Sequence, residues 1–383
     1  MGNSGKHIFV LGAGASHESA NTPLGKDLVW NYHVDCADLL PDINGIPDQS
    51  EDNVRFSNFT EFIRLAASTY PELAWLPEEW KNKGWKVFDL YGKLLKKHYV
   101  DEMLKLLQKQ GNKEGAKLVK QLIFEHIAEA SLDSPNILYE RFVKEILKIK
   151  PPQTVSIISL NFDCTLNNKD FDYEVYFDYL IAFEWIDPHR EEFYKRSNSI
   201  PLIKLNGSLD WGICENCGRL HLYYPFIHRT CYEGKACTNQ QCGGIVTPFI
   251  VIPHEKYGEK INSLCNVAKD HLKEADKVTV IGYSFPEYDK DVIKLFQDSL
   301  DTNVHIEVVD KCRNDQKKRQ TECFRKKYRD LFPDIKQSIE VALDGFSGYL
   351  DVQGKLRGML ESEHPLHKVY DNLLTAIFGE CRK

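Results

Sequence analysis

Four cysteines carry the most specific chemistry in this sequence. Cys214 and Cys217 form a close pair, nineteen residues separate Cys217 from Cys237, and Cys242 follows after four more. Two such pairs can supply four thiolates to a tetrahedral zinc ion. Gly218 and the stretch Cys242-Gly243-Gly244 provide the loose turns that such knuckles need. His228 and Cys231 lie between the pairs, and either could replace one ligand. A closed set of four protein ligands is structural, because catalytic zinc keeps an open position. A second group is Gly12-Ala13-Gly14-Ala15-Ser16, which follows the apolar run "HIFVL". Backbone amides of a glycine-rich turn at a helix N-terminus can hold a pyrophosphate, although the same element can also simply turn a corner. His17 stands where the dehydrogenase fingerprint has its third Gly or Ala, which argues against ordinary hydride transfer. A third group, Asn161-Phe162-Asp163, ends the β-branched run "TVSIISL". It is either a set of ligand-facing groups at a strand's carboxyl end or a turn held by Asn and Asp side chains. In "PLIKLNGSLDW", Asn206-Gly207 reads locally as a tight hairpin turn.

These groups need elements to position them. The segment 7–16 reads as a strand breaking into a turn, continued by a helix over "PLGKDLVWNYH" (23–33). From about 50 to 150, the segments 58–68, 86–110, 114–131 and 136–149 carry apolar residues at three- and four-residue spacing. They predict an α-helical block with Trp75, Trp80 and Trp85 in its packing. Buried-type strands follow at 154–163, 199–205, 245–252, 277–284 and 303–310, the last two flanking a helix at 288–300. Apolar strands alternating with helices imply a parallel sheet covered on both faces. The fold class is therefore α/β: a Rossmann-like parallel sheet with helices on both faces, a helical insertion and a small zinc-ribbon module. The expected divisions are 1–49, 151–211 and 245–310 for the Rossmann-like domain, 50–150 for the insertion, 212–244 for the zinc module and 311–383 for a helical C-terminal segment.

The 383 residues carry a net charge of −7, which argues against a general nucleic-acid-binding surface. The basic stretch at 311–320 reads as a solvated helix face more readily than as a phosphate-binding patch. No run approaches the length of a membrane span, and the start "MGNSGKHIFVLGAG" does not resemble a secretory signal. Lys6 stands where a myristoylation signal wants Ser or Thr. Eleven cysteines in such a chain suggest reduced thiols and a metal site, so a cytoplasmic location is expected.

The order of these pieces resembles the sirtuin family: GAGAS, then "SLNFD", "KLNGSLDW", the cysteine module and "VTVIGYSF". It resembles most closely the prokaryotic sirtuin-like domains of antiphage defence, including Thoeris-type effectors and the subunits paired with a HerA-type ATPase. "PLGKDL" and "NFTEFIRL" look like that branch. The Gly-Ile-Pro-x-Phe-Arg segment of deacetylases is absent. The resemblance covers roughly residues 6–310 in motif order. It implies that Gly12, Ala13, Gly14 and Ser16 meet the NAD+ pyrophosphate, and that Asn161 and Asp163 lie beside the nicotinamide ribose. It also implies that Gly282 and Ser284 lie near the adenosine half and that Asp310 meets the adenine ribose. The family's catalytic His belongs to a Leu-His-Gly element, which here reads Leu205-Asn206-Gly207.

Asparagine can donate and accept hydrogen bonds but cannot take up a ribose-hydroxyl proton as histidine can. Asn206 is thus an engineered trap, or a natural residue whose role passes to His17 or His254, or the mark of a domain that binds without cleaving. The leading expectation is an NAD+ hydrolase releasing nicotinamide and ADP-ribose in antiphage defence, weakened or inactive because of Asn206. Its alternatives are an NAD-dependent protein deacylase and a non-catalytic subunit that senses NAD+ or ADP-ribose. The resemblance also implies structural Zn2+, a homo-oligomer and a defence partner such as a HerA-type ATPase, with the helices of 86–149 and the tail as assembly surfaces.

Overall fold

The structure is a computed structural model that describes residues 5–20, 22, 24, 51–84, 86–95, 100–132, 137–148, 150–167, 175–186, 199–223, 236–251, 258–287, 289–312 and 317–361. The expected helix at 23–33, Trp85, His228, Cys231 and His254 lie outside the described residues, apart from Leu24.

The main sheet has seven strands: β1 (Lys6–Leu11), β2 (Val155–Ser159), β3 (Phe177–Asp178), β5 (Ile200–Lys204), β9 (Ala275–Ile281), β10 (His305–Val309) and β11 (Ile339–Ala342). Their order is β11-β10-β9-β1-β2-β5-β3, and every pairing is parallel. The apolar runs of β1 and β2 are buried on both faces, as helix-covered parallel strands must be. Leu11 is in register with Ser159 on one side and Ile281 on the other. Gly12, Leu160 and Gly282 therefore leave the sheet at one edge. Chain order reverses at β1, with β2 and β5 on one side and β9 to β11 on the other. The crevice between β1 and β9 is the topological switch point, where open α/β sheets bind ligands.

A second sheet of four strands runs β4-β7-β6-β8, with β4 at Trp185–Ile186, β6 at Gly207–Cys214, β7 at Leu220–Leu222 and β8 at Val246–Ile250. This corrects two expectations. β5 and β6, which flank Asn206-Gly207, belong to different sheets, so that pair makes no hairpin. Within the run expected at 245–252, β8 is an antiparallel neighbour of β6 and takes no part in the parallel sheet. Gly207 has φ +76°, and a Cβ there would lie 2.1 Å from the Phe249 carbonyl oxygen. The local signal marks a sharp corner under close backbone contact, and its partner is another strand.

The helices are α1 (Ala13–Ala20), α2 (Glu51–Thr69), α3 (Leu76–Lys83), α4 (Lys86–Leu95), α5 (Val100–Lys109), α6 (Lys113–Leu132) and α7 (Ile137–Phe142), the last running on as a π-turn over Val143–Leu147. After them come α8 (Glu259–Lys273), α9 (Lys290–Gln297), α10 (Lys317–Leu331) and α11 (Gly345–Glu361). None of the described helices is long and apolar enough to cross a membrane. Phe59, Phe62, Trp80, Leu107 and Phe124 share one core with Leu209, Val246, Ile250, Cys214 and Cys237. The helical block and the cysteine module are therefore packed as one body, although they are separated in sequence.

The tail expected to be mostly helical contributes β11 to the main sheet. The start of α11 is bound to α1, because the Glu18 carboxylate accepts the Phe346 N–H (2.9 Å) and the Ser347 N–H (3.3 Å). Such capping satisfies donors that a helix start leaves open.

A buried histidine, His7, and a half-buried one, His271, predict the pH dependence of stability. Thr279 donates to Glu307 (2.9 Å), so His7 Nε2–H donates to Thr279 (2.8 Å). Burial, then the charges of Lys277, Lys150 and His305, hold the His7 pKa well below 6.5. Burial and Lys6 lower that of His271, whose Nδ1 is 2.7 Å from Ser156 Oγ. Below pH 6.5 the unfolded chain binds protons that the folded chain does not, so stability falls with pH until the lowered pKa values are reached. Urea midpoints should drop between pH 7.5 and 5.5, by at most about 1.4 kcal/mol per pH unit per histidine. A flat profile over that interval would contradict this reading.

Candidate active site and metal centre

The glycines of the 12–16 turn allow backbone to meet backbone. A Cβ at Gly12 would lie 2.4 Å from Tyr283 Cβ, and one at Gly14 would lie 2.9 Å from Gly282 Cα. Gly282 has φ +63°, and a Cβ there would lie 2.1 Å from the Ala15 nitrogen. The Gly12 and Gly14 amides donate to Ile281 and Gly282 carbonyls at 3.0 and 2.9 Å, and Ala15 N–H donates to Gly12 O at 3.0 Å. Three amides of the turn are thus engaged within the protein. The exposed Ala13 N–H, first in α1, has no acceptor among the described residues. Of the turn's groups, the Ala13 N–H at the α1 terminus is the one left open toward an anion.

Asn161 joins this turn directly. Its Nδ2 donates to Gly12 O at 2.9 Å and to Ser16 Oγ at 2.8 Å. The Gly12 carbonyl can only accept, so the orientation of the amide is set by its neighbours. Asn161 Oδ1 is buried and has no hydrogen-bond partner among the described residues. Buried polar atoms are nearly always satisfied, so this oxygen is an acceptor left open at the switch point of the sheet.

The corner between β5 and β6 grips the Asn161-Phe162-Asp163 turn from below. Asn206 Nδ2 donates to Leu160 O at 2.9 Å, Leu209 N–H donates to Phe162 O at 2.9 Å, and the buried Lys204 ammonium donates to Asp163 O. Asp163 Oδ1 accepts from the backbone and hydroxyl of Thr165, which makes it the head of a short turn. Its Oδ2 has no hydrogen bond among the described residues, and neither does Asn206 Oδ1. Asp163 thus stabilises a turn, as the second reading of the motif expects, and Asn161 ties that turn to the glycine-rich one.

Gly282 and Ser284 follow β9, with the Ser284 side chain exposed. Asp310 ends β10, two strands from β1. Burial pushes its carboxyl up, the Lys311 N–H opposes that, and Glu18 adds to it. Gly12, Gly14, Ser16, Asn161 and Gly282 are in direct contact, whereas Asp310 and Ser284 stand further along the same edge of the sheet. His17, one of the residues considered as a substitute base, is exposed and donates from Nδ1 to the Thr22 carbonyl at 2.8 Å.

Two residues went unnoticed in the sequence. Lys204 is 2% exposed beneath the turn, and Tyr139, on α7, is 1% exposed with its hydroxyl 2.9 Å from Ser16 Oγ. A tyrosine at an apolar position of an amphipathic helix and a lysine at a strand end carry no spacing signal.

In the second sheet, the Sγ atoms of Cys214, Cys217, Cys237 and Cys242 lie within 4.8 Å of one another. The pairs Cys214–Cys242 and Cys217–Cys237 are 3.5 and 3.6 Å apart. A zinc tetrahedron with bonds near 2.3 Å needs S···S separations of about 3.8 Å. The cluster therefore fits such an ion, and four thiols leave no open position for chemistry. Burial pushes the Cys214 thiol up, but the N–H groups of Cys217 and Asn216 outweigh it and bring the thiol down to about 7. Burial and the Cys214 thiol push Cys242 up to about 12. His221 Nε2 lies 4.0 Å from Cys237 Sγ, behind the cluster.

No family model matches the sequence, and no curated protein matches it. Among solved structures, the chain is similar to Sir2Tm bound to a propionylated peptide, with 12% identity over 92% of this chain and 93% of that one and a TM-score of 0.41. It is similar to a mutant Sir2 homologue in complex with ADP-ribose at 14% identity, over 94% and 95% of the two chains, with a TM-score of 0.43. A Sir2 homologue in complex with NAD matches at 15% identity over 92% and 88%, with a TM-score of 0.41. Likeness at this level carries no argument about chemistry, which rests on the crevice, the orphaned oxygen and the four thiols.

Proposed function

We propose that the crevice between β1 and β9 binds NAD+ and that the chain cleaves it to nicotinamide and ADP-ribose, at a rate held down by Asn206. The observation that carries this reading is the orphaned Asn161 Oδ1, buried beside a glycine-rich turn at the switch point of the sheet. A buried acceptor there suits an N–H or hydroxyl donor of the nicotinamide riboside half, while the Ala13 N–H suits the phosphates. Gly282, Ser284 and Asp310 continue along the edge toward the adenosine half.

Breaking the N-glycosidic bond builds positive charge on the ribose. The Asp163 carboxylate, with Oδ2 uncommitted, is the group suited to stabilise that charge, and Asn161 orients the sugar. A proton acceptor would complete the site. The Asn206 amide donates to Leu160 O, and its oxygen cannot take up a proton. Binding should therefore outlast turnover.

Nicotinamide release from NAD+ measures this directly. Asn206→His should raise the rate by about 10²-fold, the lower end of what a general base contributes, with little change in NAD+ affinity. No release by either form, with a partner present, would overturn hydrolysis. Tight ADP-ribose binding without cleavage by the histidine form would favour a sensing subunit, a second reading supported by the hydrogen bond that ties Asn206 to Leu160. Loss of acyl-lysine peptide in step with NAD+ would favour a deacylase. The defence role, the homo-oligomer and the HerA-type partner rest on the sequence resemblance alone. The mass of the chain in solution, alone and with such an ATPase, tests the last two.

A further inference from the structure

Three of the four backbone donors that open α11 are held by the edge of the sheet that carries the crevice. The Gly345 N–H donates to Asp310 O at 3.0 Å. The Phe346 and Ser347 N–H groups donate to the two carboxylate oxygens of Glu18, at 2.9 and 3.3 Å. A helix start leaves such donors without partners of its own, and its dipole favours negative charge beside them. The contact is close, because a Cβ at Gly345 would lie 2.6 Å from Glu18 Oε2. Gly345 also has φ +74°, so this seat needs glycine on both counts. The Glu18 side chain is only 14% exposed, with Lys311 Nζ 3.8 Å from Oε1. Glu18 belongs to α1 and Asp310 closes β10, so the last described helix is seated by residues from the two sides of the crevice.

The exposed Ala13 begins α1 beside the crevice, and Glu18 stands five residues further along the same short helix. The two are about 7.5 Å apart along the helix axis. The far end of α1 is also tied to α7, because the Tyr139 N–H donates to Ser19 Oγ at 3.0 Å. α11 joins the same body through Phe346, whose ring lies 5.6 Å from Tyr139 and 5.7 Å from Phe142. Further along α11, Asp351 pairs with Arg141 at 2.9 Å. We propose that Glu18 is a positioning residue that links the docking of α11 to occupation of the crevice, so that a bound nucleotide and the seated helix stabilise each other. The proposal rests on the nucleotide reading above and adds a means of regulating it. A ligand that fixes the first turn of α1 also fixes Glu18, and with it the caps of α11. Release of α11 would strip the Glu18 carboxylate of both N–H partners beside Asp310, whose carboxyl burial and Glu18 already push up. α1 would then lose its hold at that end, and the crevice would lose a fixed wall. Linkage makes the coupling equal in both directions.

Hydrogen exchange of the whole chain, read by mass spectrometry with ADP-ribose as the probe, tests this. Saturating ADP-ribose should slow exchange over residues 345–350 by about five-fold or more, the lower end of a typical coupling between sites. Glu18→Gln keeps the shape and removes the charge and one acceptor. It should bind ADP-ribose about five-fold more weakly and, once saturated, slow exchange at 345–350 by less than about two-fold. Asp351→Arg sets a like charge against Arg141 and loosens α11 from its far side. Calorimetry should show it weakening ADP-ribose binding by about two- to three-fold in the unaltered background, and not at all in Glu18→Gln. Unchanged exchange at 345–350 in a chain that binds ADP-ribose would overturn the proposal, as would full slowing in Glu18→Gln. Equal effects of Asp351→Arg in both backgrounds, or none in either, would do the same. A Glu18→Gln chain that fails to fold would assign Glu18 to the fold alone and overturn the proposal equally. Failure of the unaltered chain to bind either ADP-ribose or NAD+ would instead overturn the nucleotide reading, and the proposal would fall with it.

Discussion

Removal of metal from the four-cysteine cluster should unfold the second sheet together with the helices packed on it. Cys214 and Cys237 belong to the same core as Phe59, Phe62, Trp80 and Phe124. Without an ion, four thiols within 4.8 Å of one another have no strong interaction to offset the entropy of holding them there. Structural zinc contributes about 10 kcal/mol or more of binding free energy, which becomes folding free energy when the site exists only in the folded chain. A chelator at neutral pH should release one zinc per chain, with loss of helical circular dichroism and a fall in melting temperature. Cys217→Ser and Cys242→Ser should reproduce the effect, because one ligand from each pair is then missing. A metal-free chain with unchanged helicity and melting temperature would show that packing alone holds the module. The main sheet, whose core excludes the four cysteines, should survive longer under chelation, and the transition should then show two steps.

Gly282→Ala should destabilise the chain by roughly 3–5 kcal/mol, at the upper end of what single substitutions do. Two causes add here. Positive φ costs an L-residue roughly 1–2 kcal/mol, and Gly282 has φ +63°. The new Cβ would also lie 2.1 Å from the Ala15 nitrogen and 2.5 Å from the Gly14 carbonyl carbon. Those are backbone atoms, so α1 and its turn would have to move as a unit. Gly111→Ala is the internal control, because Gly111 ends α5 with φ +69° and nothing within 4 Å of its Cβ position. It should cost only the conformational part, about 1–2 kcal/mol. Urea denaturation of the two variants separates the terms, and equal losses would show that the approach of β9 to the turn carries no energy. The same displacement should abolish nucleotide binding in Gly282→Ala and leave it intact in Gly111→Ala.

Strands rich in β-branched and apolar residues, such as β1, β2, β9 and β10, were legible because burial on both faces leaves little room for polar residues along most of their length. Strand β8 was misplaced for the same reason. "VTPFI" is apolar whichever sheet receives it, and local pattern cannot choose between two partners. The short β11 escaped notice because a four-residue edge strand between two helices has too little sequence to register a period. The helix expected at 86–110 is helical over α4 and α5, and residues 96–99 between them lie outside the described residues. Trp80 is buried among the helices as expected, and Trp75 is partly buried against the same core.

The candidate site divides along similar lines. Asn161, Ser16 and the glycines were identifiable because strand-end Asn and a glycine-rich turn have few other uses at that place in an α/β chain. The sequence also showed that position 206 lacks a proton acceptor, since side-chain chemistry does not depend on fold. What it left open was direction and partnership. Whether Asn206-Gly207 made a hairpin depended on which strand β6 would meet. What Glu18 does depended on α11, more than three hundred residues away, arriving with open N–H groups. What the Ser16 hydroxyl meets depended on Tyr139, from a helix at the far end of the insertion. By itself the sequence determined the parallel sheet, the four metal-binding thiols and the kinds of group at the crevice, because periodicity, thiol spacing and side-chain chemistry are local properties. Tertiary structure alone decided which of their atoms were already satisfied, because a hydrogen bond's direction is set by every neighbour that reaches the same oxygen.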